Sequence, residues 1–363
     1  MPINLNFDEN FDPELVAPYQ SEAENETEQD ESLYEHYRVV ADPNQKALRV
    51  DKFLSNRLEQ SRTRLQYAAE AGSLWANGEP VKSNYKVRPG DIITIMLPKA
   101  VQHYTIEPEE IPINIVYEDE TLLVLDKQAG LVVHPGIGNF NGTMLHALAW
   151  HYQQTGQFNE LSNEEHRFGM VHRIDKETSG LLVLAKTRTA LTHLAQQFYH
   201  HTVNRRYTAL AWGDLKADSG TINLPVGRHK TLRKLRTVYA PDEPFGKHAI
   251  THYSVLKRFG YVTLVECKLE TGRTHQIRVH FQHMGHPLFN DLLYGGNRVA
   301  KGTAFTKYRQ FVANCFDTIE RQALHARLLG FEHPTTHQWR EFESQLPNDF
   351  QTVINMWDAY AQR

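Results

Sequence analysis

The segment VHRIDKETSG at 171–180 places one aspartate between two cations and in front of an apolar run. Asp175 lies between Arg173 and Lys176, and LLVLA at 181–185 follows. An ionised carboxylate at the start of a buried strand can act as a nucleophile or assist a proton transfer. An aspartate in this position can equally cap or brace a turn. The residues alone leave both interpretations open.

Two distant segments carry further side chains that are suited to chemistry. RRYTAL contains Tyr207, and TGRTHQIRVH contains Arg273 and Arg278. Each has an ordinary structural explanation, because a strand tyrosine can belong to the core and a helical arginine can be an exposed cation. An arginine can also hold a carboxylate with two hydrogen bonds and does not lose its proton.

Several other chemistries lack their motifs. GIGNFNGT at 136–143 resembles a phosphate loop but has no lysine after its last glycine, and Ser179 is not in a G-x-S-x-G turn. Among the 20 histidines, His275 and His280 are five residues apart, which separates them by about 140° around a helix. His280 and His283 share a face without an accompanying carboxylate. We therefore expect surface or nucleic-acid-contacting histidines and no metal ion, which disfavours a metal hydrolase.

The elements that must position these residues follow from pattern and turn signals. Residues 47–97 predict two helices, of which Ser61 caps the second, then two strands around an Asn-Gly turn and a final strand. Residues 98–113 are punctuated by prolines and predict a linker. Residues 114–363 predict hairpins interspersed with helices, including strands on both sides of Gln128–Gly130 and a helix capped by Thr143. This mixture favours an α+β domain on a largely antiparallel mixed sheet.

Charge is distributed unevenly along the chain. Residues 1–36 contain eleven acidic residues and no lysine or arginine, and they predict a disordered acidic tail. The net charge of −4 therefore conceals +7 over residues 37–363, with 39 basic and 32 acidic residues, which is compatible with a polyanionic partner. The two cysteines exclude a disulfide framework, and no apolar run approaches the roughly 20 residues of a membrane span. The acidic N-terminus does not resemble a secretory signal, so we expect a cytoplasmic protein.

The order of residues 49–97 resembles the small RNA-binding module of ribosomal small-subunit protein four. This resemblance implies a small α/β module whose helices present cations to the phosphate backbone. The residues concerned are Arg49, Lys52, Arg62 and Arg64. Isolated lysines and arginines are more often a solvated helix face, so the prediction rests on the order of the elements.

From about Arg49 to the C-terminal helix, the chain resembles the RNA pseudouridine synthases that modify large-subunit ribosomal RNA. The resemblance lies in YEDETLLVLDKQAGLVVHPG, VHRIDKETSGLLVLAKT, RRYTAL, HYSVLKRF, LETGRTHQIRVHFQHMGHP and RQALHARLLGFEHP. HRIDKETSG is a highly specific signal. The order of RNA-binding module and catalytic domain matches the large-subunit synthases of the D type.

The resemblance implies roles for individual residues. Asp175 matches the catalytic aspartate, Arg278 the cation that pairs with it, and Tyr207 the tyrosine that stacks on the target base. Burial would raise the pKa of Asp175, and the guanidinium is expected to keep the carboxylate ionised. His172, Arg173, Lys176 and Arg273 are expected to contact substrate. Whether Asp175 attacks the ribose, attacks the base or assists proton abstraction from the sugar remains open.

The expected partner is large-subunit ribosomal RNA or a ribosomal precursor particle, bound by a monomer with no cofactor and no membrane. Isomerisation of uridine requires no nucleotide, metal or flavin, which agrees with the missing cofactor motifs. A non-catalytic RNA-binding factor is the alternative, and it predicts loss of Asp175, Tyr207 or Arg278. All three are present.

Overall fold

The structure is a computed structural model, and it describes residues 34–43, 45–58, 62–70, 72–97, 106–135, 139, 141–156, 161, 167–232, 235–243 and 245–362. The chain forms two compact units, whose described parts are 34–97 and 106–362. Several predictions concern residues outside the described ones. They are the acidic tail up to residue 33, the Ser61 cap, the side chain of Arg64 and the linker segment 98–105.

The N-terminal unit contains two short helices and two small sheets. Its elements are β1 (Tyr34–Val40), β2 (Leu48–Arg49), α1 (Val50–Ser55), α2 (Arg62–Glu70), β3 (Leu74–Ala76), β4 (Glu79–Pro80), β5 (Lys86–Val87) and β6 (Ile92–Leu97). The strands pair in the order β1-β6-β3-β4, with β2 paired to β5. Asn77 and Gly78 have φ of 53° and 88°, as the predicted Asn-Gly hairpin turn requires.

Hydrophobic periodicity correctly predicts the buried face of α1. Val50, Phe53 and Leu54 are fully buried. The helix ends at Ser55, so Leu58 reaches the same core from the following turn rather than from the helix. The boundary of the predicted tail is wrong, because β1 begins at Tyr34 and pairs antiparallel with β6.

The C-terminal unit is built on one large sheet. Its strands are β7 (Asn114–Glu118), β8 (Leu122–Lys127), β9 (Ser179–Ala185), β10 (Asn204–Trp212), β11 (Ser219–Asn223), β12 (Val226–Arg228), β13 (Arg236–Val238), β14 (Ile250–Arg258), β15 (Val262–Leu269), β16 (Leu324–Glu332) and β17 (Trp339–Glu343). Its helices are α3 (Met144–Thr155), α4 (Arg188–Tyr199), α5 (Gln276–His283), α6 (Thr306–Thr318) and α7 (Asn348–Ala361).

In the described part of the chain, nine strands form this sheet in the order β11-β14-β15-β10-β16-β9-β8-β7, with β17 paired to β16. The β16–β9 pair is parallel, and the other pairs of this sheet are antiparallel. The predicted α+β class with a largely antiparallel mixed sheet is therefore confirmed. A hydrophobic cluster joins β8, β9 and β10 to α3 and α5, and this cluster positions the candidate site.

One local prediction is wrong, and a second is confirmed only in part. The apolar run at 131–133 forms no strand: Leu131 and Val133 are buried, but the carbonyl of Leu131 accepts from Lys127 Nζ and that of Val132 accepts from Met144 N. Thr143 occupies the N-cap position of α3 as predicted, but its side chain makes no capping hydrogen bond, because the hydroxyl bonds to His146 Nδ1 at 2.7 Å.

The described helices include none that combines the length and apolar character needed to cross a membrane.

Candidate active site

Asp175 lies in a turn immediately before β9. Thr178 N donates to the carbonyl of Asp175 at 3.0 Å, which closes the turn, and β9 itself is buried at every position. Gly180 has a φ of 116°, and a Cβ there would collide with the backbone carbonyl of Ala326 on β16. The glycine of HRIDKETSG is therefore needed because two backbones approach closely behind the aspartate.

Long side chains anchor the turn through its backbone. Lys127 Nζ donates to the carbonyls of Gln128, Leu131 and Lys176 at 2.8, 3.0 and 2.8 Å. Arg321 Nη1 donates to the carbonyl of Glu177 at 3.2 Å. Burial lowers the pKa of Lys127 to about 7, whereas three carbonyl acceptors favour its ammonium form.

Asp175 and Arg278 form the expected ion pair. Arg278 Nη1 on α5 lies 2.8 Å from Asp175 Oδ2. The Arg278 side chain is 5% exposed, whereas that of Asp175 is 19% exposed. Asp175 therefore combines a buried cationic partner with access to solvent.

Asp291 is a second carboxylate on the same guanidinium, and sequence reasoning missed it. Arg278 Nε and Nη2 donate to the two oxygens of Asp291 at 2.7 and 2.9 Å, and Asp291 is fully buried. Tyr294 places its ring 5.1 Å from the guanidinium carbon. The fork of Arg278 thus faces Asp291, and its remaining nitrogen faces Asp175.

The electrostatics favour an ionised Asp175. Burial would raise its pKa, but positive charge on His275 and Arg278, together with the Arg278 hydrogen bond, lowers it to about 2. Burial also lowers the pKa of His275 to about 4, so His275 is neutral at neutral pH and Arg278 is then the main cation. Burial would lower the pKa of Arg278, but the hydrogen bonds and charge of Asp291 raise it.

Tyr207 lies on β10, two strands away from β9. Both Tyr207 and Gly180 pair with Ala326 on β16, and a bulge between Arg206 and Tyr207 sets this register. Tyr207 is 8% exposed. Burial raises its pKa, and the nearby Asp175 carboxylate raises it further, so the hydroxyl is protonated at neutral pH.

His275 also belongs to the site, although the sequence analysis expected a surface or nucleic-acid-contacting histidine. It precedes α5 in the left-handed conformation, with φ of 57°. Arg236 N donates to the Tyr294 hydroxyl at 3.0 Å, and this hydroxyl bonds to His275 Nδ1 at 2.7 Å. With Nδ1 as the acceptor, neutral His275 carries its proton on Nε2, which lies 3.9 Å from Asp175 Oδ1.

The residues predicted to contact substrate occupy different environments. Arg173, Lys176 and Arg273 are partly exposed, and Arg273 Nε donates to the carbonyl of His248 at 3.1 Å. His172 is 7% exposed, its Nε2 accepts from Val183 N at 3.0 Å, and its ring stacks on Phe198 with centroids 4.5 Å apart. These contacts favour a structural role for His172, and its substrate contact stays a prediction.

Three of the predicted RNA-binding cations of the N-terminal unit, Arg49, Lys52 and Arg62, lie at its surface. The side chains of Arg49 and Arg62 are 44% and 52% exposed, and Lys52 is exposed.

The histidine prediction is partly wrong. His280 is fully buried, with its nitrogens bonded to Thr251 Oγ1 at 2.9 Å and to the carbonyl of Leu224 at 3.0 Å. It therefore belongs to the interior and not to the surface.

Within the described residues, His193, Glu332 and His337 are close enough together to hold a metal ion. Gln197 Nε2 donates to His193 Nδ1 at 3.0 Å, and the amide orientation is fixed by two further bonds to the Glu332 backbone at 2.8 Å. Neutral His193 therefore carries its proton on Nε2, the nitrogen that faces Glu332 at 3.5 Å. This donor set does not fit a metal site, because that nitrogen has no free lone pair.

Comparison with known proteins agrees with this geometry. The family model described as RNA pseudouridylate synthase matches residues 121–283, and the S4 domain model matches residues 48–93. An uncharacterised RNA pseudouridine synthase of Chlorobaculum parvum is 44% identical over 85% of this chain and 94% of its own length. Ribosomal large subunit pseudouridine synthase D of Vibrio cholerae is 40% identical over 82% of this chain and 90% of its own.

A solved structure, human RNA pseudouridylate synthase domain containing 4, is similar in fold. The TM-score is 0.51 at 21% identity, and the match covers 68% of this chain and 93% of that one. The relatives at 40% and 44% identity, together with the family model, show that the chain belongs to the RNA pseudouridine synthase family. It is an isomerase, and an S4 domain precedes its catalytic domain.

Proposed function

We propose that this enzyme converts uridines of large-subunit ribosomal RNA to pseudouridine, with Asp175 as the catalytic carboxylate. The observation that carries the proposal is the ion pair between Asp175 Oδ2 and Arg278 Nη1 at 2.8 Å, in which the acid keeps partial exposure while the cation is buried. An ionised carboxylate with one free oxygen is available to act on a ribose or a base.

The reaction rearranges bonds within one nucleotide. The bond between the ribose C1′ and the uracil N1 breaks, and a bond forms between C1′ and C5 of the same base. C5 loses one proton and N1 gains one, so nothing is oxidised or reduced. Asp175 participates by attacking the ribose or the base, or by assisting proton abstraction from the sugar.

Arg278 and Tyr207 assist Asp175 in distinct ways. Arg278 keeps the carboxylate charged and oriented, and Asp291 in turn fixes Arg278. Tyr207 offers its ring to the target base. Its hydroxyl is protonated at neutral pH, so it takes the proton that leaves C5 by releasing its own proton to solvent. His172, Arg173, Lys176 and Arg273 are the remaining substrate-contact candidates, and the geometry supports the three cations more than the buried His172.

The substrate must expose its uridine to Asp175. A base inside a duplex cannot present its ribose and ring faces, so the enzyme acts on an unpaired uridine or extrudes the base at a cost of about a few kcal/mol. This requirement favours a stem-loop target.

The choice of large-subunit ribosomal RNA rests on the relatives whose names state that activity. The RNA backbone is bound by four cations of the S4 domain, Arg49, Lys52, Arg62 and Arg64. The protein acts as a cytoplasmic monomer on naked RNA or on a precursor particle.

We further assign the domains of the chain. The RNA-binding module comprises residues 47–97, extended to Tyr34 by β1, the linker comprises 98–113, and the catalytic domain comprises 114–363.

The proposal is tested by incubating the purified protein with unmodified large-subunit and small-subunit ribosomal RNA and mapping pseudouridine in both. We expect new pseudouridines at defined positions in the large-subunit RNA alone. Pseudouridine formation confined to the small-subunit RNA, or absent from both RNAs and from precursor particles, would contradict the proposed substrate.

A further inference from the structure

A fully buried aspartate lies beneath the exposed cations of the S4 domain. Asp51, in the first turn of α1, has no exposed side-chain surface. Its Oδ1 accepts from Arg49 Nε at 3.1 Å and from Lys52 N at 2.8 Å. Its Oδ2 accepts from Arg49 Nη2 at 2.9 Å, Arg62 Nη2 at 3.2 Å and Gln66 Nε2 at 3.0 Å.

This carboxylate joins two guanidinium groups that come from different elements. Arg49 ends β2 and Arg62 begins α2, yet both place an Nη2 against the same oxygen of Asp51. Two guanidinium groups this close would repel each other, and the carboxylate between them removes the repulsion. The arginine side chains remain 44% and 52% exposed, so the buried carboxylate holds both guanidinium groups while both stay accessible to solvent.

Each arginine retains N–H donors for a further partner. A guanidinium has five N–H donors. Among the described residues, Arg49 donates Nε and Nη2 to Asp51, and Arg62 donates Nη2. The remaining donors belong to two adjacent planar cations, an arrangement that suits the two non-bridging oxygens of a phosphodiester.

Burying an acid in a domain that binds a polyanion requires compensation. A buried carboxylate is costly unless it is paired and hydrogen-bonded. Burial would raise the pKa of Asp51, but the hydrogen bonds from Arg49, Gln66, Arg62 and the Lys52 amide lower it below its ordinary value. Asp51 therefore stays charged at neutral pH and holds both arginines.

We propose that Asp51 is a positioning residue that holds Arg49 and Arg62 together as one binding site for an RNA phosphodiester group. The inference rests on the proposed role of the S4 domain in RNA binding. It adds that an acid, which by its charge alone repels RNA, increases the affinity of this domain.

The sign of the effect makes the inference testable. Asp51→Asn removes one negative charge from the protein, so charge alone would tighten RNA binding. Positioning predicts the opposite: we expect the affinity of the full-length protein for a stem-loop RNA to fall by about fivefold or more, with a salt dependence shallower by about one phosphate contact. The measurement is the dissociation constant over a series of salt concentrations.

Asp42→Asn is the matched control for charge. Asp42 lies in the same unit with a side chain 71% exposed, and it pairs with Arg57 at 3.0 Å. This variant makes the same change in charge without touching the arginine pair, so we expect RNA affinity that is unchanged or slightly higher. If Asp51→Asn binds as tightly as Asp42→Asn, and circular dichroism shows both folded, the inference is overturned.

A second variant decides the question if Asp51→Asn does not fold. Replacing Arg49 and Arg62 together by lysine keeps the charge and removes the planar forks. Positioning therefore predicts weaker RNA binding, whereas charge alone predicts unchanged RNA binding. Replacing both by alanine separates this inference from the proposed function. If the alanine variant also binds RNA normally, the S4 domain role fails; if it weakens binding while the lysine variant does not, only the positioning role fails.

Discussion

At the scale of single residues, Arg278 is the centre of the proposed active site because it contacts two carboxylates at once. Its Nε and Nη2 hold the buried Asp291, and its Nη1 holds Asp175. The first contact fixes the orientation of the guanidinium, and the second uses that fixed cation to keep Asp175 ionised. A compact ammonium group cannot make both contacts in this geometry.

Arg278→Lys should therefore lower the rate of pseudouridylation and shift its pH profile. We expect the pseudouridylation rate to fall about tenfold or more, and its acid limb to move to higher pH. Lysine keeps the charge but loses the fork that holds the charge against Asp175, so the pKa of Asp175 rises. The pH profile of single-turnover product formation measures both effects. An unaltered rate and profile would show that Asp175 does not depend on Arg278.

Tyr207 allows the ring and the hydroxyl to be separated. Tyr207→Phe retains the ring, so we expect RNA affinity to change by less than about twofold, whereas loss of the hydroxyl should reduce turnover about 100-fold. Tyr207→Leu removes the ring as well and should weaken both. The measurements are RNA binding and single-turnover rates, and a fully active phenylalanine variant would exclude proton transfer by this residue.

At the scale of elements, the site depends on the close approach of β9 to β16. Ala326 on β16 pairs with Gly180 on one side and Tyr207 on the other, so this strand sets the distance between the aspartate turn and the tyrosine. The left-handed φ of Gly180 and the Ala326 carbonyl leave no room for a side chain.

Gly180→Ala should be markedly destabilising. Gly260→Ala is the matched control, because Gly260 also has a positive φ of 80° but nothing lies within 4 Å of a Cβ there. We expect the free energy of unfolding of the control to fall by about 1 kcal/mol, from backbone conformation alone. That of Gly180→Ala should fall several times more, because its Cβ also collides with β16. Urea unfolding of both variants measures the difference, and equal losses would mean that β16 moves away without cost.

The sequence analysis predicted most of the elements that have a regular pattern, but it missed one of them and misread a segment whose structure depends on tertiary contacts. The stripe Tyr308, Val312 and Cys315 on α6 follows helical spacing and could have revealed that helix, which the sequence analysis did not include. The run at 131–133 looks like a strand, but its carbonyls serve Lys127 and α3 instead of a neighbouring strand.

For the site, the family resemblance predicted that Asp175 and Arg278 pair, whereas the residues alone left Arg278 as an ordinary helical cation. Asp291 was not found, because its contact with Arg278 depends on how the chain after α5 folds back, and no spacing rule expresses that. His275 was considered only as a possible metal ligand or surface group. Its left-handed backbone and its bond to Tyr294 are visible only in three dimensions.

At the scale of the whole molecule, buried neutral histidines link stability to pH. Burial lowers the pKa of His172 to about 3 and the pKa values of His275 and His325 to about 4. The unfolded chain takes up these protons below about pH 6.5, whereas the folded protein does not until much lower pH. The unfolded state therefore binds more protons in this window, and stability falls as the pH falls.

The free energy of unfolding should decrease as the pH is lowered from about 6.5 towards 4, by up to about 1.4 kcal/mol per pH unit for each such histidine. Urea unfolding at a series of pH values measures this slope. His172→Gln should flatten it, whereas His200→Gln, at an exposed position, should leave it unchanged. A flat profile in the parent protein would contradict the neutral state of the buried histidines.

Tritium release from RNA labelled at C5 of uridine, measured for Asp175→Asn, addresses the chemistry itself. The variant keeps the shape of the side chain and one acceptor oxygen, and it removes the charge. We expect normal RNA binding with no release above background, while Asp218→Asn, a control whose side chain is 90% exposed in the same unit, releases tritium like the parent protein. Release by Asp175→Asn at the parent rate would show that another group performs the reaction.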